Sequence, residues 1–258
     1  MDLGLKNKLF VVTGSSQGFG RAIAEQLLEE GALVIINARK EEPLQTLCLN
    51  YPDRLSYVHG DITTDAVISE IFRRIGPREV HGFVLNAGGP PALRFMDTQL
   101  KDWDEAYAKI LRWKVKFTQE ILEKFQIQGF GRLLYIESMT VKQPLENLVL
   151  SNALRLAVVG LVKTITKELG PSGITLNIIA PGYHATNAME RLFIAKSALL
   201  GITPEEARIS YEKETLTGSL GDPKDLASLI AWLLSDHSKF ITGQTISLDG
   251  GVVQGTWG

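Results

Sequence analysis

The 258-residue sequence has almost no cysteine. Its one thiol, Cys48, has no partner within the chain, so no internal disulfide is expected. Cys48 stands beside Leu47 and Leu49 in a predicted helix, and we interpret it as a small core or boundary residue.

Positive charge is not in surplus. The chain has 27 Lys and Arg residues against 29 Asp and Glu residues, a formal net charge of -2, and no block of basic residues. Because proteins that bind phosphate backbones carry a basic surplus or patch, no nucleic-acid partner is expected. Long apolar runs are absent too: the N-terminus lacks a signal core, and no run approaches the length that spans a bilayer. We therefore expect a cytoplasmic protein with no membrane partner.

Metal-ligand spacing is also missing. His59, His81 and His237 stand singly, and no group of Cys, His, Asp and Glu has the spacing of a metal site. No metal requirement is expected.

What the sequence does have is an ample supply of core residues: 45% are hydrophobic and 22% are charged. Such a composition is typical of a folded protein with a large core. Seven apolar runs suit buried parallel strands, namely 9–12, 33–36, 55–58, 82–85, 132–136, 175–179 and 245–248. Helical spacing occurs between them, at 21–30, 65–74, 103–125, 154–169 and 224–234.

The alternation of strands and helices predicts a single-domain α/β protein over residues 1–258. Its fold would be a doubly wound Rossmann fold, a seven-stranded parallel sheet with helices on both faces. The alternation breaks at about 183–218, beyond the carboxyl end of the sixth strand, the edge where open α/β sheets bind ligands. We interpret that segment as a small helical substrate lid. Its apolar side chains form either a substrate wall or the face that buries the lid on the body, and they are Leu192, Phe193, Ile194, Leu199 and Leu200.

A glycine-rich turn follows the first strand and opens the first helix. It reads Thr13-Gly14-Ser15-Ser16-Gln17-Gly18-Phe19-Gly20. Without side chains at Gly14 and Gly18, the backbone can turn sharply and present its N–H groups to a pyrophosphate at the positive end of the helix. Gly20 would let the helix pack closely on the strand. The pattern predicts a dinucleotide site, although S-adenosylmethionine folds use similar turns.

The turn resembles the TGxxxGxG element of the short-chain dehydrogenase/reductase family. Further matches follow in family order: Asn86-Ala87-Gly88 resembles the NAG element, and ITGQTISLDGG resembles the closing segment. The resemblance covers nearly the whole chain. Within the family, the chain is similar to the 3-oxoacyl-ACP reductase-like branch. It implies hydride transfer between a nicotinamide cofactor and a small carbonyl or alcohol substrate.

The same resemblance implies further cofactor contacts. Asn86-Ala87-Gly88 would lie against the adenosine side, and Asp61, with its neighbour Ile62, matches the acid that accepts the adenine amino group. Pro181-Gly182 and Thr186 match the PGxxxT loop that holds the nicotinamide carboxamide. Each residue alone has a structural interpretation as a cap or turn former, but their order after the glycine turn favours the functional one.

The end of the second strand bears on the choice of dinucleotide. Family members that prefer NAD carry an acid there for the adenosine ribose hydroxyls, whereas this chain has Ala38 followed by Arg39. A guanidinium can bind a 2'-phosphate with paired charge-assisted hydrogen bonds, so NADP is favoured over NAD. The alternative is that Arg39 is a solvated loop residue beside Glu41 and Glu42.

The catalytic pattern departs from the family. Ser138 matches the family's serine, but the segment 151–163 places Ser151 where the tyrosine is expected and Arg155 where the lysine is expected. No tyrosine in the chain has a lysine four residues later, and Ile110 stands at the asparagine position. A serine hydroxyl is a far weaker acid than a tyrosine, while Arg155 stays charged and is assigned first to the nicotinamide ribose.

Three other residues are candidate proton donors. Lys142 lies in the loop after Ser138, and His184, with its neighbour Tyr183, lies in the loop that borders the nicotinamide. Histidine is the side chain best suited to exchange protons near neutral pH. The alternative for each is an ordinary solvated or packed loop residue.

Two function classes follow. The first is an oxidoreductase that uses Ser138 and atypical neighbours; the second is a dinucleotide-binding sensor or subunit that has lost the chemistry. The glycine turn and the lid favour the first, and the absent tyrosine and lysine favour the second. An epimerase or dehydratase of this family would keep the same tyrosine and lysine, so their absence does not favour that third class. The resemblance also implies a homodimer or homotetramer.

Overall fold

The computed structural model describes residues 1–256 and contains one seven-stranded parallel sheet. The strands are β1 (Leu9–Thr13), β2 (Leu33–Ala38), β3 (Leu55–His59), β4 (Gly82–Leu85), β5 (Gly131–Ile136), β6 (Ile174–Pro181) and β7 (Thr245–Leu248). Their order is β3-β2-β1-β4-β5-β6-β7, with every neighbouring pair parallel. The order reverses between β1 and β4, which opens a crevice at the carboxyl ends of these strands. The predicted doubly wound fold is confirmed.

Nine α-helices accompany the strands in the described part of the chain. They are α1 (Gly18–Glu29), α2 (Glu41–Asn50), α3 (Asp65–Ile75), α4 (Leu100–Tyr107), α5 (Trp113–Gln128), α6 (Val149–Leu169), α7 (Asn187–Leu200), α8 (Pro204–Glu214) and α9 (Pro223–Leu234). Strand and helix alternate up to β6, and α7, α8 and α9 lie between β6 and β7.

The core is two apolar layers, one on each face of the sheet. Alternate residues of β1 enter different layers: Phe10 and Val12 pack with α1, α2 and α9, while Leu9 and Val11 pack with α3, α5 and α6. Because side chains alternate along a strand, a strand that is buried on both faces has a continuous apolar run. This is why the strands were visible in the sequence.

The predicted helix at 103–125 is interrupted. A π-helical turn, Ala108–Arg112, separates α4 from α5, and the Trp113 indole N–H donates to the carbonyl oxygen of Lys109 at 2.8 Å. The widened turn frees carbonyls from the regular ladder, and a side chain that bonds one of them stabilises the break. Apolar spacing alone does not distinguish this arrangement from one continuous helix.

The helix α6 also departs from expectation. With 21 residues, it is long and apolar enough in composition to cross a membrane, although no such run was expected from the sequence. Its charged residue Arg155 is buried, together with Val158 and Val162, and these two valines pack in the layer on β5 and β6. That packing is typical of a core helix.

The segment 183–218 forms the two predicted helical pieces, α7 and α8. Leu192 and Phe193 pack into a small apolar cluster with Met139, Tyr183 and Met189. Ile194, Leu199 and Leu200 are exposed. Leu192 and Phe193 therefore bury one side of α7 against the body of the protein.

Candidate active site

The glycine turn is held in place by Asn86 at the end of β4. The Thr13 hydroxyl donates to the Asn86 carbonyl oxygen at 2.7 Å, and the Asn86 N–H donates to the Thr13 hydroxyl at 2.8 Å. The Asn86 amide N–H₂ reaches the carbonyl oxygens of Thr13 and Gly14, each at 3.3 Å. These bonds fix the turn across the crevice between β1 and β4.

The turn leaves no space for side chains at two of its glycines. A Cβ on Gly14 would lie 2.7 Å from the Asn86 carbonyl oxygen, and Gly14 has a φ of +65°. A Cβ on Gly20 would lie 2.3 Å from the Gly14 carbonyl oxygen. Gly20 thus allows the close approach of helix to strand that the sequence predicted.

The amino end of α1 is uncapped. Gln17 precedes the helix without a side-chain hydrogen bond to it, and the first turn has no acidic residue. Such an end presents free N–H groups and partial positive charge, which suit a pyrophosphate. Ser15 lies differently: its hydroxyl donates to the Val12 carbonyl oxygen at 2.7 Å, so it supports the turn from inside.

The loop after β6 meets this turn. Thr186 lies beside Gly18, and the Asn187 amide donates to the Gln17 side-chain oxygen at 3.0 Å. At the start of the loop, the Gly182 N–H donates to the Leu248 carbonyl oxygen at 3.0 Å, so Pro181-Gly182 is held against the end of β7. The structure brings the first glycine turn and the sixth-strand loop together, as a single dinucleotide would require.

Asp61, which the family resemblance assigns to the adenine, lies two residues after β3. One Asp61 oxygen, Oδ1, accepts from the Thr63 N–H at 3.0 Å and from the Thr63 hydroxyl at 2.9 Å. Its neighbour Ile62 is buried. Ala87 and Gly88 continue from Asn86, and a side chain on Gly88 would face open space. Asp61 therefore forms the turn, and no hydrogen bond reaches its second oxygen, Oδ2, from the described residues.

Arg39 is exposed at the end of β2. Within the described part of the chain, no carboxylate pairs with its guanidinium, and Glu41 instead accepts from the Tyr57 hydroxyl at 3.0 Å. A free guanidinium at this point suits a 2'-phosphate.

Ser138 follows β5 at the same edge of the sheet. It precedes the short 3₁₀ turn Met139–Val141, and its hydroxyl oxygen accepts from the Thr140 N–H at 3.3 Å. The hydroxyl hydrogen of Ser138 is not used by that bond and remains able to donate.

Ser151 and Arg155 meet on one face of α6. The Arg155 Nε donates to the Ser151 hydroxyl oxygen at 3.0 Å, as the spacing of four residues allows. Arg155 also donates through Nη1 to Glu137 Oε2 at 3.0 Å, and the Lys114 ammonium pairs with the other Glu137 oxygen. Both cations therefore share one buried carboxylate.

Lys114 and Glu137 are functional candidates that the motif comparison missed. Glu137 is an acid directly after an apolar strand, and Lys114 stands in the buried stripe of α5, four residues before Thr118 and three before Phe117. A charge inside an apolar stripe is costly unless it is paired, so both residues carried a signal in the sequence.

The proposed alternative proton donors are placed in three different ways. Lys142 ends the turn after Ser138 and has no ion pair within residues 1–256. His184 is only 4% exposed, and its ring packs edge-on against Phe19 at 5.0 Å and bonds the Gly182 carbonyl oxygen through Nδ1. Burial lowers the pKa of His184, which favours a neutral, packed ring.

Tyr183 donates its hydroxyl to Glu214 at 2.8 Å. Burial and that carboxylate raise the pKa of Tyr183 well above its usual range, so it is a poor acid. Over residues 1–256, no group of His, Cys, Asp and Glu is arranged to hold a metal ion.

The sequence was compared with known protein families and curated proteins. Residues 14–253 match the family model described as enoyl-(acyl carrier protein) reductase. The chain is 30% identical to dehydrogenase/reductase SDR family member 4 of Sus scrofa, over 96% of this chain and 88% of that protein. It is 28% identical to the 3-oxoacyl-[acyl-carrier-protein] reductase FabG of Aquifex aeolicus (strain VF5), over 98% of this chain and 100% of that protein.

Solved structures share the fold. An actinorhodin polyketide ketoreductase variant with NADPH superposes with a TM-score of 0.89 at 26% identity, covering 96% of this chain and 98% of that chain. The NADPH-dependent reductase YwfH of bacilysin biosynthesis has a TM-score of 0.90 at 23% identity, covering 97% of this chain and 100% of that chain.

Proposed function

Because the chain belongs to the short-chain dehydrogenase/reductase family, an oxidoreductase family, we propose that it transfers hydride from NADPH to the carbonyl group of a small 3-oxoacyl-like substrate. The reverse reaction transfers hydride from the alcohol to NADP⁺. The observation that carries this proposal is twofold. Ser138 follows β5 at the same edge of the sheet as the cofactor turn, and Arg155 bonds Ser151 on α6.

The chain's own residues fit the dinucleotide. The turn has no room for a side chain at Gly14 or Gly20, the amino end of α1 is uncapped, and Arg39 has no carboxylate partner in the described residues. Asn86 and Thr186 each lie against the glycine turn, and the family resemblance adds Asp61 as the contact for the adenine. NADPH supplies the hydride when it is bound.

Three polar side chains have roles toward the substrate. Ser138 and Ser151 each keep a hydroxyl hydrogen that can be donated to the carbonyl oxygen, on which negative charge develops as hydride adds to carbon. Arg155 donates to the Ser151 oxygen and orients that hydroxyl, and it would hold the nicotinamide ribose of a bound cofactor. Lys142 and His184 remain proposals for the final proton, of which Lys142 has the freer side chain.

Replacing Arg39 with alanine tests the cofactor preference. We expect the NADPH affinity of Arg39→Ala to fall about 10- to 100-fold, because two charge-assisted hydrogen bonds to the 2'-phosphate are lost. NADH affinity should not change. Titration of both cofactors by fluorescence measures this, with Arg73→Ala, another exposed cation, as the matched control. Equal NADPH affinity in the wild type and Arg39→Ala would contradict the assignment.

Replacing Ser138 with alanine tests the reaction. With a panel of 3-oxoacyl thioesters, ketones and sugars, we expect Ser138→Ala to lower kcat by about 10²- to 10³-fold, the usual effect of removing one donor to a developing oxyanion. NADPH affinity should stay unchanged. Thr175→Val is the control, because Thr175 is a buried hydroxyl on β6 that has no hydrogen-bond partner among residues 1–256. Tight NADPH binding with no turnover on any panel member would reject this function in favour of the sensor.

The segment 183–218 completes the proposal as a substrate lid, within a single domain over residues 1–258. It begins at the carboxyl end of β6 and brings α7 beside the cofactor turn through Asn187. Its exposed side chains Ile194, Leu199 and Leu200 are the ones left to contact an apolar substrate.

We extend the proposal to a homodimer or homotetramer in the cytoplasm. Leu100 and Tyr107 on α4 and Leu156 on α6 are exposed apolar side chains. A second copy of the chain would remove such surface from water.

A further inference from the structure

A cluster of three buried charges lies beside Ser151. The side chains of Lys114, Glu137 and Arg155 are 2%, 0% and 10% exposed. They come from three separate elements, α5, the end of β5 and α6. Burying ions costs several kcal/mol each, so a fold retains such a cluster only where pairing offsets that cost or where function requires it.

The cluster is not neutral. Glu137 uses one oxygen for Lys114 and the other for Arg155, so two cations share one anion. The other groups near the cluster are the Trp113 ring, 5.7 Å from the Lys114 Nζ, and the Tyr135 hydroxyl, which bonds Thr118. None of these supplies a second negative charge, so the cluster has a formal charge of +1 when Lys114 is protonated.

The uncompensated charge faces the cofactor side of the crevice. Arg155 Nη2 donates to neither Glu137 nor Ser151, and a Cβ on Gly89 would lie 3.2 Å from it. Gly89 directly follows the Asn86-Ala87-Gly88 segment. The Ser151 oxygen accepts from Arg155, so its hydroxyl hydrogen is left for another acceptor.

We propose that Glu137 and Lys114 are positioning residues: they fix the Arg155 guanidinium on Ser151 and leave the site one positive charge, which a developing substrate oxyanion neutralises. This inference rests on the proposed function and explains how the site would stabilise the oxyanion without a tyrosine and a lysine. A fixed charge in a site that excludes water stabilises an oxyanion far more than the same charge in water.

The charge of the cluster depends on pH through Lys114. Burial and the neighbouring Arg155 lower the pKa of Lys114, and Glu137 opposes that shift. As the pH rises, Lys114 loses its proton before an exposed lysine does, and the cluster passes from +1 to neutral. The rate should therefore fall on the alkaline side, and that decline should belong to Lys114.

The test compares Lys114→Met with Arg132→Met. Arg132 lies at the amino end of β5, far along the strand from Glu137. It is 3% exposed and pairs with Asp236, so it is a matched buried cation. Lys114→Met keeps the contacts of Arg155 with Glu137 and Ser151. We expect it to lower kcat about tenfold or more with little change in KM or NADPH affinity, and to abolish the alkaline decline. Arg132→Met should keep the wild-type kcat and pH profile.

A second variant separates charge from hydrogen bonding. Lys114→Gln can still donate to Glu137 but is neutral, so it should behave as Lys114→Met. A kcat within about twofold of the wild type in both variants, an equal loss in Arg132→Met, or an alkaline decline that persists in both would overturn the proposal.

A binding experiment tests the cluster separately from turnover. Acetate, a stable oxyanion, is titrated into the NADP⁺ complex while tryptophan fluorescence is followed, since Trp113 adjoins Lys114. Lys114→Met should weaken acetate binding about fivefold or more, and Arg132→Met should not. If the wild type turns over no substrate yet shows this difference, the proposed function fails and the charge assignment stands. No acetate binding by the wild type, or no difference between the two variants, overturns the assignment.

Discussion

Gly14→Ala is expected to raise the Kd for NADPH by about 100-fold or more, equivalent to about 2.7 kcal/mol. An alanine Cβ would lie 2.7 Å from the Asn86 carbonyl oxygen, and the φ of +65° strains any residue with a side chain. To relieve the contact, the turn must move away from Asn86, which also fixes Thr13. The N–H groups that would bind the pyrophosphate move with it. Fluorescence titration with NADPH measures the loss.

Gly160→Ala is the matched control for this prediction. Gly160 lies inside α6, and among the described residues a Cβ there would meet no atom within 4 Å outside the neighbouring backbone of its own helix. Because alanine is the better helix former, this variant should gain up to about 1 kcal/mol of stability and bind NADPH as the wild type does. Circular dichroism of both variants establishes that they are folded. A folded Gly14→Ala protein with wild-type affinity would show that the turn does not bind the pyrophosphate.

Glu137→Leu is expected to lower the free energy of unfolding by about 3–5 kcal/mol. Removal of the shared carboxylate leaves Lys114 and Arg155 buried together with no anion. Two like charges in a poorly solvated site repel each other, and Lys114, whose side chain is 2% exposed, has no other carboxylate partner among the described residues. Urea denaturation at neutral pH gives the midpoint and the slope.

The triple variant Lys114→Met, Glu137→Leu, Arg155→Met identifies the cause. Replacing all three charges with apolar side chains removes the desolvation cost along with the pairing, and such replacements are often neutral or stabilising. We expect the triple variant to recover most of the stability that Glu137→Leu loses, and to lose activity. If the triple variant is as unstable as the single one, lost packing and not unpaired charge is responsible. Glu70→Ala, at an exposed helical ion pair, should leave the denaturation midpoint unchanged.

The candidate site has two parts, a cofactor half and a charge half. The cofactor half, around Gly14 and Asn86, is built from backbone geometry and close approach. The charge half, around Glu137, is built from side chains of three elements that meet at the end of β5. The first half resembles the family by motif, whereas the second lies where the sequence predicts a departure from the family pattern.

The sequence was informative wherever a property depends on neighbours along the chain. The buried strands were visible as apolar runs, and the glycine turn was visible because backbone conformation is a local property. Arg39 could be proposed as a phosphate ligand because its position after β2 follows from the strand boundary. Even the spacing of Ser151 and Arg155 was readable, since residues four apart share a helical face.

The local pattern failed at two points. The π-helical turn at Ala108–Arg112 has the apolar spacing of a continuous helix, and that spacing does not reveal the bond from the Trp113 indole to the Lys109 carbonyl oxygen. The second point is His184, whose place in a loop suggested a proton donor. Only the packing of its ring against Phe19 showed how much of it is withdrawn from water.

By itself, the sequence determined the doubly wound fold and the glycine turn, and it predicted that Ser151 and Arg155 stand where the family pattern has a tyrosine and a lysine. The tertiary structure alone decided that Glu137 and Lys114 join Arg155 in one buried cluster. The physical reason is that the charge balance of a buried site depends on which side chains from separate helices and strands share the same unsolvated volume. Neither residue's neighbours along the chain specify that partnership.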